Sequence, residues 1–225
     1  MSKFYSILFQ DESILVINKP AGVLTIPDGY DQFLPNLQTI LKQDFEAAWT
    51  VHRLDKDTSG VMIFARSLLV HHILNDQFEH RLVKKTYHAL VAGLPTWDDY
   101  FCEEPLRVNG DRRHRTVVAP MTGKPASTHF HVASRFSNTA LIEAFPHTGY
   151  THQIRAHLLS IGFPILSDPL YAPSDSPAHP KNCSLISRTA LHAFQIKFQH
   201  PSTGEDISFQ APHPDDFQIA LKLMN

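Results

Sequence analysis

The sequence predicts an α/β protein of the α+β kind: a mixed, largely antiparallel central sheet with flanking helices and loops. Three observations lead there. Several short stretches alternate apolar and polar residues with the period of two that suits strands. Only a few longer stretches carry the helical period. No linker, repeat or low-complexity segment interrupts the 225 residues, so one continuous domain over 1–225 is expected, large enough for a sizeable core.

Taken in order, Phe4–Phe9 and Ile14–Ile17 read as short strands around the polar Gln10–Ser13, a hairpin opening. Asn18–Gly22 (NKPAG) then interrupts regular structure, because Pro20 lacks a donor and Gly22 tolerates unusual backbone angles. Lys19 on this turn is either exposed to water or aimed at a pocket. Pro35–Phe45 brings Leu37, Ile40, Leu41 and Phe45 to one side, the spacing of a short amphipathic helix. In Val51–Phe64 (VHRLDKDTSGVMIF) a polar turn precedes a buried strand that starts near Val61. Asp57, Thr58 and Ser59 can bond nearby backbone there, and Gly60 can adopt angles closed to other residues. Asp55 has two readings: a solvated turn residue, or a carboxylate held for chemistry on a braced loop.

Ser67–Leu82 follows as a helix with a stripe from Leu69, Ile73 and Phe78, helped by Leu74 and Leu82. Lys84–Ala92 alternates as a strand, and Tyr87 on it is either a core aromatic or a ring offered to a ligand. Gly93, Pro95 and Asp98–Asp99 end that strand. Pro105–Pro125 is basic and turn-rich, with only Thr116–Ala119 strand-like. Ser127–Phe136 and Thr139–Phe145 form a hairpin. Thr151 is placed to cap a helix over Thr151–Ile161, whose core side is Ile154, Leu158 and Ile161. Polar His152, Gln153, Arg155 and His157 cluster in its first turns. After a proline-rich loop at Pro173–Lys181, Leu191–Phe198 and Ile207–Phe209 make a last hairpin. Asp215–Met224 closes the chain as a helix that docks through Phe217, Ile219, Ala220 and Leu223.

Composition narrows the function classes. A hydrophobic fraction of 43% and a charged fraction of 19% belong to a folded chain. Cys102 and Cys183 are too few for a disulfide scaffold or a paired-cysteine metal site. There is no signal-like start and no apolar run of about 18 residues, so a cytoplasmic protein with no membrane partner is expected. The net charge of -2 argues against indiscriminate coating of nucleic acid. Two basic runs remain, Arg107 with Arg112–Arg115 and Arg81 with Lys84–Lys85; each is a solvated loop or part of a local basic groove.

Metal and nucleotide chemistries lack their patterns. His147, His152 and His157 recur every five residues, which does not place them on one helical face, and HExxH is missing. GxGxxG, GxxxxGK[ST] and GxSxG are missing too. What remains is Asp55, Arg155, Tyr87 and the basic runs, a set suited to cofactor-free, carboxylate-assisted chemistry on an anionic polymer. An ionised Asp55 can attack, or stabilise charge on, a sugar or base, and a nearby Arg155 would keep it ionised. Spacing alone does not bring the three together, and a structural Asp–Arg pair is the competing reading.

Four motifs occur in order: NKPAG at 18–22, HRLDKDTSG at 52–60, KKTY at 84–87 and TGYTHQIRAH at 148–157, with LHA following at 191–193. Together they resemble the RluA family of RNA pseudouridine synthases over nearly the whole chain. The resemblance implies that family's catalytic fold and isomerisation of specific uridines in transfer RNA, large-subunit ribosomal RNA or both, with no cofactor and no metal. It implies that Asp55 is the catalytic aspartate, that Arg155 pairs with it, and that Tyr87 stacks on the target uracil and is a candidate for proton transfer. Arg53 is similar to the residue that enters the space left by the extruded nucleotide. His52, Lys19, Lys85, His152 and Gln153 are candidates for orienting phosphate or base. The expected partner is a structured RNA stem-loop, bound by a monomer. Tyr150 stands where the family usually has arginine, and Ser167-Asp168-Pro169 replaces the usual GDxxYG opening, although Asp168 and Tyr171 remain. The wording is nearest the short branch, without an N-terminal S4 RNA-binding domain. A catalytically inactive RNA-binding module of the same fold is the alternative.

Overall fold

The computed structural model describes residues 4–29, 31 and 33–224. In chain order it forms β1 (Ser6–Gln10), β2 (Ile14–Lys19), α1 (Leu37–Asp44), β3 (Trp49–Thr50), β4 (Ser59–Ala65), α2 (Leu68–Glu79) and β5 (Lys84–Ala92). There follow β6 (Asp99–Cys102), β7 (Leu106–Arg107), β8 (Val117–Val118), β9 (Thr128–Arg135) and β10 (Thr139–Pro146). The last elements are α3 (Gln153–Ser160), β11 (Leu191–Gln199), β12 (Asp206–Gln210) and α4 (Asp215–Met224). The fold is α+β, and its strands pair mostly antiparallel. Two compact units divide the chain: residues up to Lys85 with Ala193–Pro212, and Thr86–His192 with the segment from His213.

In the first unit the strand order is β1-β2-β4-β11-β12, with β3 on β4. Strands β2 and β4 are near-continuous apolar runs because they lie inside; Ile14–Ile17 and Val61–Ala65 are buried. Asn36 caps α1 by accepting from the Thr39 amide at 2.9 Å, and Ser67 caps α2 through Val70 at 3.2 Å. The stripe of α2 is rotated from the expected one. Val70, Leu74 and Gln77 face inward, whereas Leu69 and Leu82 are exposed. Both stripes obey the helical period, and burial selected the one that packs on β4.

Gly60, the second residue of β4, has φ +121, and a Cβ there would lie 2.6 Å from the Ala193 nitrogen and collide with its carbonyl oxygen. The strand can approach β11 only without a side chain at this position. Replacing Gly60 by Ala is expected to destabilise the protein by at least about 2 kcal/mol. Urea unfolding checks this; an unchanged midpoint would contradict the close approach.

In the second unit the order is β5-β10-β9-β6, all antiparallel. Strand β5 runs over the residues expected of it. Strand β6 is unforeseen because its Asp-Tyr-Phe-Cys sequence sits directly after an acidic turn; its partner β9 supplies the ladder. The core gathers Leu90, Phe130, Ile142, Ile154 and Leu158. Helix α4 has the expected bounds but a different docking face. Phe217, Ala220, Leu221 and Met224 pack inward at the i, i+3, i+4, i+7 spacing, and Ile219 and Leu223 are exposed.

A histidine pair lies beneath the start of α4. His88 Nδ1 is 2.7 Å from His213 Nε2, His88 Nε2 is 3.3 Å from Glu143, and the His213 ring stacks on Phe217 at 4.8 Å. The His192 ring lies 5.2 Å from His213, Asp216 feels the charge of His192, and Arg188 Nε donates to Asp216 at 2.7 Å. Burial, then repulsion from His88, pushes His213 down to about 4. Burial also lowers His88, against the pull of Glu143. Because the unfolded chain takes up these protons near the ordinary value of 6.5, stability is complete above that pH and falls as the pH drops from 6.5 towards 4. The thermal midpoint is expected to decline over this window, less steeply in His213→Gln. Parallel declines would remove the pair as a cause.

Candidate active site

Asp55 sits on the connection between β3 and β4, and the chain around it is pinned from outside its own sequence. Thr25 Oγ1 donates to the Leu54 carbonyl at 2.8 Å and accepts from the Leu54 amide at 3.2 Å. The Gly22 amide donates to the Lys56 carbonyl at 2.8 Å, and the Thr58 amide donates to the Asp55 carbonyl at 3.2 Å. The residues on both sides of Asp55 are thus held through main-chain atoms, and the NKPAG turn and Thr25 in the segment after it do the holding. Half-buried Asp55 and exposed Arg53 project from a rigid loop.

Lys19 is the strongest of these braces. It is fully buried, and its amine donates to the carbonyls of Pro20, Lys56 and Thr58 at 2.9, 3.0 and 2.8 Å. All three ammonium protons are used. The phosphate or base contact expected of Lys19 therefore gives way to a role inside the loop: the side chain turns down into the unit because three convergent carbonyls solvate its charge.

His52 is likewise turned inward. Its Nε2 accepts from the Ile63 amide at 3.0 Å, which fixes the neutral tautomer, and the ring stacks on Phe78 at 4.9 Å. Burial, helped by the charge of Lys85, pushes its pKa down to about 3. The ring is therefore neutral, with Nε2 engaged by the main chain and Nδ1 carrying the proton. Lys85, at the start of β5, is half-buried, and desolvation pulls its amine down to about 8.

In the second unit Arg155 occupies α3, and this helix departs from the expected amphipathic form: Gln153 through Leu158 are all buried. Arg155 Nε and Nη2 donate to the two Asp168 oxygens at 2.7 and 2.8 Å, a bidentate pair with Asp168 fully buried. Asp168 also accepts from the Leu170 and Tyr171 amides. The Tyr171 ring lies 4.8 Å from the Arg155 guanidinium carbon. Asp168 and Tyr171 were not among the expected site residues; their retention from the family's GDxxYG pattern was the signal, since nothing in a 13-residue spacing announces an ion pair.

The cap of α3 is also corrected. His152, at φ 57, is the N-cap and makes no side-chain cap bond, while the Thr151 carbonyl accepts from Thr116 Oγ1 at 2.6 Å. His152 Nδ1 is 3.2 Å from the Tyr171 hydroxyl. Gln153 has no capacity left for RNA: its oxygen accepts from Thr148 and the Tyr150 amide, and its nitrogen donates to Ser127 and Thr128. It fixes the turn that presents half-buried Tyr150 against Leu106, Ala126, Ala156 and Tyr171. Tyr87 stands opposite Ala144 in β5, half-buried with its ring against the unit's core.

The fold is that of pseudouridylate synthase domains. Human RNA pseudouridylate synthase domain containing 4 matches with a TM-score of 0.78 at 27% identity, over 97% of this chain and 92% of that one. Human RNA pseudouridylate synthase domain containing 1 matches at 0.77 and 25% identity, over 93% and 84%. The sequence agrees. Residues 13–160 match the RNA pseudouridylate synthase family model. The dual-specificity RNA pseudouridine synthase RluA of Salmonella typhi is 38% identical over 207 residues, 92% of each chain. The ribosomal large subunit pseudouridine synthase D of Neisseria meningitidis is 36% identical over 235 aligned positions, 97% of this chain and 60% of that protein. The chain belongs to the RNA pseudouridylate synthase family, whose members are isomerases. Among the described residues, no helix is long and apolar enough to cross a membrane.

Proposed function

We propose that this protein converts specific uridines to pseudouridine in transfer RNA, large-subunit ribosomal RNA or both, with Asp55 as the catalytic carboxylate and Arg155 and Tyr87 acting with it. The two units work in this reading as one catalytic domain, a cytoplasmic monomer that accepts a short RNA stem-loop. The observation that supports it best is the Asp55 loop, where Lys19, Gly22 and Thr25 hold the backbone on either side of the carboxylate. Rigid placement of a reacting group is what an enzyme needs and a passive RNA-binding module does not.

The reaction breaks the uridine N1–C1′ bond, turns the uracil in place, joins its C5 to C1′ and moves the C5 proton away, while N1 gains one. Attack at C1′, addition at C6 and proton abstraction towards a glycal are the three roles open to Asp55. Each requires it ionised. Extruding the nucleotide costs a few kcal/mol, less in a loop. Stacking on Tyr87 returns about 1–3 kcal/mol of that, and Arg53 fills the vacated space. Lys85 and His152 are the remaining candidates for orienting phosphate or base, and the exposed Arg112 and Arg113 add to the electrostatic attraction.

The test is a map of new pseudouridines in total RNA exposed to the purified protein and to its Asp55→Asn variant. Sites made only by the unaltered protein support the reading and name the RNA class. No new site in any RNA would reject it.

A further inference from the structure

The geometry points to Tyr171 as the positioning residue that sets the plane of Arg155, and to the basic loop 107–115 as the element that holds Tyr171 in place. This rests on the reading that Arg155 works with Asp55. A guanidinium is planar, and two constraints define its attitude: the edge that is hydrogen-bonded and the face that is covered. Asp168 takes the edge formed by Nε and Nη2, and the Tyr171 ring covers the centre at 4.8 Å.

The ring is itself tied down. Its hydroxyl accepts from the Thr116 amide at 2.8 Å, bonds the Thr116 carbonyl at 3.1 Å and approaches His152 Nδ1 at 3.2 Å. Burial raises the phenol to about 12, so it stays protonated and acts through these bonds, not as an acid or base at neutral pH. Thr116 follows the basic loop directly, and two arginines of that loop reach the same turn. Arg113 donates to the Pro169 carbonyl and Arg115 to the Leu170 carbonyl, each at 3.0 Å, and the Arg115 guanidinium carbon lies 5.8 Å from the Tyr171 ring. Asp111 orders the loop by accepting from the Arg113 and Arg115 amides and from the Arg115 side chain. The turn at 168–171 therefore supports Arg155 on one side and the loop on the other.

Single-turnover pseudouridine formation and RNA affinity, measured on Tyr171→Phe, Tyr171→Leu, Arg155→Lys and the Tyr171→Leu/Arg155→Lys double variant, test this. Tyr171→Phe loses the hydroxyl bonds and is expected to slow turnover by about fivefold. Tyr171→Leu also loses the ring and is expected to slow it by about fiftyfold, with RNA affinity within about twofold and no shift of the pH profile. On the Arg155→Lys background the same change is expected to add less than about threefold, because the positioned group is already gone. Unchanged turnover in both Tyr171 variants, a loss that merely follows affinity, or full additivity with Arg155→Lys would overturn the inference. Full activity of Arg155→Lys alone would instead remove the underlying role of Arg155. Should Tyr171→Leu fold poorly by thermal unfolding, Tyr171→Phe and its own combination with Arg155→Lys decide the matter by the same criteria.

Discussion

Asp55→Asn is expected to reduce pseudouridine formation by at least about a thousandfold and to leave RNA affinity within a few-fold of the unaltered protein. The main chain on either side of Asp55 is held by bonds to other residues. Thr25 holds Leu54, Gly22 and Lys19 hold Lys56, and Thr58 reaches the Asp55 main-chain oxygen. An asparagine keeps the volume and removes the charge and the nucleophilic oxygen. An unchanged thermal midpoint in the variant assigns the loss of activity to chemistry and not to a displaced loop. Turnover surviving in the variant, measured with excess enzyme on a single RNA, would reject the role given to this residue.

Asp168→Ala is expected to have the largest effect on stability, about 3–5 kcal/mol, with loss of activity alongside. Arg155 and Asp168 are both buried, and removing one leaves a guanidinium without its bidentate partner. The Leu170 and Tyr171 amides lose their acceptor at the same time. For a protein of this size the loss corresponds to a fall in thermal midpoint of roughly 10 °C. Replacing both partners by well-packed apolar residues is expected to recover much of the stability and none of the turnover, since the cost of a single removal is largely that of the stranded charge. A midpoint unchanged in Asp168→Ala would show that the pair bears no weight in the fold.

Much of the architecture follows from local pattern. The strand at Lys84–Ala92, the hairpin of β9 and β10 and the helix Asp215–Met224 were legible because side-chain alternation and helical period are properties of neighbouring residues. The faces were harder to read. In α2 the exposed Leu69 competes with Val70 for the inward side, and in α4 Ile219 competes with Leu221; both alternatives have the right period, and only the neighbouring elements choose between them. The same holds for the start of α3, where Thr151 has the chemistry of a cap but its carbonyl is engaged by Thr116, 35 residues earlier.

The order and wording of four motifs, by themselves, determined the family, the carboxylate and the aromatic ring proposed to meet the substrate. Tertiary structure decided what the accompanying polar residues do. Lys19, His52 and Gln153 read as ligands for RNA because they are charged or polar and lie in motifs, yet each finds main-chain and side-chain partners within the fold. Asp168 and Tyr171 are legible only as what remains of a family motif, and the fold puts the Asp168 carboxylate on the Arg155 guanidinium with the Tyr171 ring 4.8 Å from it. The reason is physical: a buried polar group must be satisfied, its partner lies across the chain as readily as beside it, and residue spacing carries no record of which one folding will supply.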